Sequence, residues 1–160
     1  MKAVGTVAAT LILFWIMTVL DRGAGLRLSF VFGARPEFVL ALAAALTVVS
    51  RPAAAAAFGF LAGLATGALS GNISAYIISA AVTCFVGSYL TKLPIEQRWW
   101  VVYLEMAGII LASRLLFMIM APSNRLAEYV AASAFSALLS AGIGLAVYPL
   151  ARKIFGSKEI

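Results

Sequence analysis

Apolar runs separated by short polar, Gly or Pro segments organise this chain. The runs cover residues 3–20, 36–49, 53–69, 73–90, 99–120 and 127–148. A helix that crosses a bilayer needs about 20 predominantly apolar residues, with a usual range of about 17–25. The pattern therefore predicts an all-α, polytopic transmembrane bundle of about six helices in a single integral membrane domain. The run at 36–49 is short for a span, and is expected to sit among neighbours or to extend into its flanking segment.

The separators carry their own signals. Asp21-Arg22 ends the first run, and residues 21–35 form a mixed segment in which Leu26, Leu28, Phe30 and Phe32 alternate with polar or small neighbours, as a piece lying at the membrane interface would. Pro36 suits the first helical position, where its missing N–H costs nothing, and Glu37 complements the positive helix end. Ser50-Arg51-Pro52 and Ser70-Gly71-Asn72 are tight breaks, and 91–98 is the most polar stretch and a solvent loop. Residues 121–125 make the last turn, and Pro149 followed by Arg152 and Lys153 closes the sixth run. The first run follows Lys2 and resembles a signal peptide, but more apolar runs follow it, and it reads as a retained helix.

Composition moves the chain out of the soluble range. Hydrophobic residues make up 64% and charged residues 11%, against about 45–50% and about 25% in soluble domains. A small soluble fold cannot hide that much apolar surface, so lipid is its solvent. With one cysteine, Cys84, and no histidine, a disulfide within the chain is impossible and a Cys/His metal site is not expected. No cofactor is expected either. Cys84 lies in an apolar run and reads as a packing residue.

The formal charge of +6 is scattered between the apolar runs, which suits loops near lipid headgroups and excludes a nucleic-acid surface. An even number of spans puts both ends on one side. That side carries seven basic residues (Lys2, Arg51, Lys92, Arg98, Arg152, Lys153, Lys158), and the other at most five (Arg22, Arg27, Arg35, Arg125, Arg114). The positive-inside rule then places both termini in the cytoplasm. Trp99, Trp100 and Tyr103 beside Arg98, and Tyr148 near Arg152, resemble an aromatic belt at that interface.

Few residues have the character of a site. Gly59, Gly63, Gly67 and Gly71 recur every four positions, giving a ridge without side chains against which another helix packs closely. That helix belongs either to this chain or to a partner. Glu105 and Arg114 are ionisable residues deep in an apolar run, where charge is expensive and functional by default. Nine residues apart, they lie on opposite faces and about 13 Å apart along the axis, so they cannot pair. The plainer expectation is that Glu105 pairs with a neighbouring helix end and Arg114 snorkels to the far interface. Arg35-Pro36-Glu37 is either a partner-recognition segment or a helix cap with an adjacent salt bridge. Carboxylates are scattered, no Ser or Cys has a histidine base, and no phosphate loop is present, so the chain is not expected to be an enzyme.

The segment Arg35-Pro36-Glu37-Phe38-Val39-Leu40, then Gly59-Phe60-Leu61-Ala62-Gly63-Leu64 and Ser70-Gly71, resembles the bacterial rod shape-determining protein MreD family, and Tyr148-Pro149-Leu150-Ala151-Arg152-Lys153 is similar to that family's C-terminal exit. Glu37 stands where the family often has Asp, and Gly67 where it often has an intramembrane Asp. The resemblance implies a non-enzymatic inner-membrane component of the cell-elongation machinery. Such a component accompanies an MreC-like bitopic protein and acts with the MreB cytoskeleton, RodA and a penicillin-binding protein to regulate peptidoglycan synthesis and cell shape. It also implies a fold similar to the six-helix substrate-binding component of ECF-type vitamin transporters.

The alternative is a substrate-binding component of a small-molecule (vitamin) transporter, which needs a polar cavity facing one side of the membrane. Its candidate polar residues include Thr47, Thr66, Ser74, Ser79 and Thr83. Ser133, Ser136 and Ser140 share one helix face, either lining a pocket or packing small against small.

Overall fold

Twelve consecutive residues with no charge and no strong polar face, Phe38–Val49, form helix α2, and ten of them are buried. A helix apolar all round belongs in an interior. The computed structural model, which describes residues 2–23, 34–92, 98–122 and 124–155, puts α2 at the centre of an all-α bundle. Around it stand α1 (Lys2–Gly23), α3 (Pro52–Ser70), α4 (Ile73–Leu90), α5 (Trp99–Met120) and α6 (Leu126–Phe155), all five in contact with it. At 12 residues, α2 is about 18 Å long, too short to cross a hydrocarbon core of about 30 Å alone. Its neighbours keep it from lipid.

By length and composition, α4, α5 and α6 are long and apolar enough to cross a membrane. Large apolar side chains cover the outer surface, among them Leu11, Ile12 and Trp15 of α1, Val82 and Val86 of α4, and Leu104 of α5. Inside, around large side chains such as Leu42, Leu46, Met106 and Ile110, stand small ones such as Ala62, Ala80, Ala137 and Ala141, which let helix backbones approach. The protein is thus an all-α membrane bundle.

The α3–α4 hairpin shows how close that approach is. A Cβ at Gly63 would lie 2.5 Å from the Ile77 Cα, and one at Gly67 would lie 2.7 Å from the Ile73 Cα. A Cβ at Gly59 would collide with the Ala80 carbonyl. Three of the four glycines of the ridge therefore serve a helix of the same chain. Gly71 does not belong with them. It is the C-cap of α3 at φ 77°, a left-handed position that frees the chain to turn into α4, and no atom lies within 4 Å of its missing Cβ.

Other local signals resolve differently from expectation. Pro36 does not open α2: Glu37 is the N-cap, in extended backbone, and the helix begins at Phe38. It is Pro52 that occupies a first-turn position, in α3. Pro149 does not close the last helix, which runs on through it to Phe155. The reason is packing: the Phe155 ring meets Phe58 edge-on at 5.5 Å, Phe58 stacks on Phe14 at 6.4 Å, and Ala151 is buried, so this last turn is held by α1 and α3. The expectations for Leu26, Arg27, Leu28, Phe30 and Phe32, for most of the 91–98 loop, and for Lys158 fall outside the described residues.

Candidate functional site: a polar cavity at one end of the bundle

A cavity of about 790 Å³ opens where α2 begins. It is lined by the last turn of α1 (Asp21, Arg22), the segment before α2 (Ala34 to Glu37), the end of α3 (Thr66, Ser70), the start of α4 (Tyr76), the second half of α5 (Arg114) and the start of α6 (Tyr129, Ala132, Ser133, Ser136). Ends and starts alternate around it, so successive helices run in opposite directions and the start of α1 and the end of α6 lie at the other end.

The floor is an ion pair. Arg114 Nε donates to Glu37 Oε2 at 3.0 Å, and Arg114 Nη2 donates to Glu37 Oε1. This is the two-pronged arrangement in which a planar guanidinium matches a carboxylate. Both side chains are largely buried, 17% exposed for Arg114 and 11% for Glu37, so each charge depends on the other. Arg114 therefore does not snorkel to the far interface; a partner lies within reach and a buried charge takes it. The salt bridge of Glu37 is not with Arg35, which is exposed and lines the cavity, as Arg22 does.

Backbone groups of the segment before α2 are clasped from two sides. The Glu37 N–H donates to Ser140 Oγ at 2.8 Å, and Ser136 Oγ donates to the Arg35 carbonyl. From α1, Asp21 Oδ1 accepts the Phe38 N–H at 2.8 Å, satisfying one of the free donors at the start of α2. Tyr129 OH donates to the Arg114 carbonyl at 3.3 Å, and the Tyr76 ring packs on Phe117 at 4.1 Å, closing the α4 and α5 wall. The serine face of the sixth run has thus two duties: Ser136 and Ser140 hold the 35–37 segment, while Ser133 and Ser136 line the cavity.

Sequence reasoning placed Arg35 and Glu37 in one candidate segment and Arg114 in another run. The structure brings Glu37 and Arg114 together. Asp21, Tyr76 and Tyr129 were missed as site residues, and their one legible signal is that each stands at a run's end on the same side of the bundle. Glu105 lies elsewhere, in a second cavity between α4 and α5, and its Oε2 is buried without a hydrogen-bond partner. The expected pairing with a neighbouring helix end is not made by that oxygen. Cys84 is fully buried. Among the described residues, no group of three or more Cys, Asp or Glu is placed to hold a metal ion.

No protein-family model, curated protein or solved structure matches this chain.

Proposed function

We propose that this protein is a non-enzymatic, multi-pass scaffold of the bacterial inner membrane, an MreD-like component of the cell-elongation complex. It holds an MreC-like bitopic protein and, with RodA and its penicillin-binding partner, helps regulate peptidoglycan synthesis. Its cavity end faces away from the cytoplasm, and its termini lie in the cytoplasm with the larger share of basic residues. The reading is carried by one observation. The segment Arg35-Pro36-Glu37, which bears the resemblance to MreD, is built into a fixed platform by Arg114, Ser136 and Ser140. A platform of that kind presents the exposed Arg35, with Arg22 of α1 in the same cavity lining, to whatever reaches the bundle end.

The second reading, capture of a small molecule for transport, is favoured by the cavity itself. Its volume of about 790 Å³ falls in the range of ligand pockets, and it carries convergent charged and hydroxyl groups. A pull-down of the tagged chain in mild detergent, with mass spectrometry of the co-isolated proteins, separates the two. Recovery of a bitopic MreC-like protein is the expected result. Recovery of a transport ATPase pair, or of a bound vitamin, would replace the scaffold by the transporter.

A further inference from the structure

The α4–α5 cavity, of about 370 Å³, has features that packing within this chain does not explain. On the α4 side stand Thr83, Gly87 and Thr91, and on the α5 side Glu105, Gly108 and Ala112, each set spaced to share one helix face; the remaining lining is aliphatic. Gly108 differs from the glycines of α3. A Cβ there meets nothing within 4 Å, so among the described residues no helix requires it to be bare. A glycine inside a helix costs about 1 kcal/mol relative to alanine, and here nothing within the bundle offsets that cost.

Glu105 is the second anomaly. It stands six residues into α5, about 9 Å along the axis from the exposed Trp99, and its Oε2 is buried and unpartnered. The two hydroxyls of the lining are already committed: Thr83 donates to the Ser79 carbonyl at 2.7 Å and Thr91 to the Ser88 carbonyl at 3.3 Å. An acid at this depth in lipid calls for a donor from outside the bundle.

We propose that this groove seats a transmembrane helix of a partner protein, which lays its backbone against Gly108 and presents an Asn, Gln, Arg or Lys side chain to Glu105. A lipid chain supplies no donor to the carboxyl. Within the apolar runs the only Arg, Lys, Asn or Gln of this chain is Arg114, which is bound to Glu37, so a second copy brings no free side chain of those types to that depth. The inference rests on the scaffold reading and names the surface by which the scaffold holds its bitopic partner.

The test uses the full tagged chain in its native membranes. A photoreactive benzoylphenylalanine at Ala112 is expected to crosslink to a transmembrane segment of another protein, and peptide mapping should find an Asn, Gln, Arg or Lys in that segment. The same probe at Ile12, exposed on α1, should not. Gly108→Leu, which has room to fold, and Glu105→Leu should each lower co-purification of that protein by about tenfold, the scale of one interhelical hydrogen bond or close contact. Glu105→Gln, which keeps a hydrogen-bonding group, should retain most of it. Membrane accumulation of each variant, compared with the parent chain, separates loss of binding from loss of folding. Adducts only to lipid or to a second copy, or co-purification unchanged in Gly108→Leu and Glu105→Leu, would overturn the groove and leave the scaffold standing. Failure of the parent chain to recover any bitopic protein would remove the scaffold and the groove together.

Discussion

Glu37 and Arg114 show what a single charge does inside an apolar bundle. Each charge is matched by the other at the floor of the cavity, and truncating one leaves the other buried alone. Glu37→Ala or Arg114→Ala should therefore cost about 3–5 kcal/mol, measured by denaturant titration of the detergent-solubilised protein. The double variant should cost clearly less than the sum of the two, because removing both leaves no orphaned charge. Additive losses would mean that the pair is not coupled. Ser140→Ala removes the acceptor of the buried Glu37 N–H and should cost about 1–3 kcal/mol in the same titration. None of these partners was legible along the chain. Glu37 and Arg114 are 77 positions apart, and Glu37 and Ser140 are 103 apart. A local pattern identifies a residue that needs a partner and is silent on which distant one it meets.

At the scale of elements, two glycines make opposite predictions. Gly63→Ala drives a methyl group into the α4 backbone and should destabilise the α3–α4 hairpin by about 1–3 kcal/mol, the usual cost of overpacking. Gly108→Ala enters open space and should leave thermal stability in detergent unchanged or raised by up to about 1 kcal/mol. A loss at Gly108 as large as that at Gly63 would show that the α4–α5 surface is closed within the chain. The four-residue glycine spacing was plain in the sequence, because bare positions on one helix face announce close contact. It did not reveal that the contact is α4, nor that Gly71 has the separate task of turning the chain at positive φ. Helix boundaries divide in the same way. For α4 and α5 they coincide with the apolar runs. The end of α6 does not, because the contact of Phe155 with Phe58 carries the helix past Pro149.

For the whole molecule, the alternation of helix ends around the polar cavity predicts the outcome of topology mapping. Reporter fusions at Glu159 and near Arg125 should report opposite sides of the membrane, with the Glu159 fusion cytoplasmic. Both on one side would contradict the alternating bundle. Extraction should require detergent, since large aliphatic and aromatic side chains cover the outside of the bundle. A monodisperse folded product in buffer alone would refute lipid as the solvent.

The all-helical class, the six helices of the described residues and the need for lipid were determined by the sequence alone. Those properties follow from local run length and from composition, and each helix satisfies its own backbone wherever it packs. Only the tertiary structure decided that the shortest and most apolar run is the central helix, and that Glu37 and Arg114 meet. It also decided that two serines clasp the segment before α2 and that Glu105 has an oxygen without a partner. Those outcomes depend on which helix faces come together across the bundle, and in a bilayer, where every apolar face is equally at home against lipid, hydrophobic pattern does not choose among neighbours.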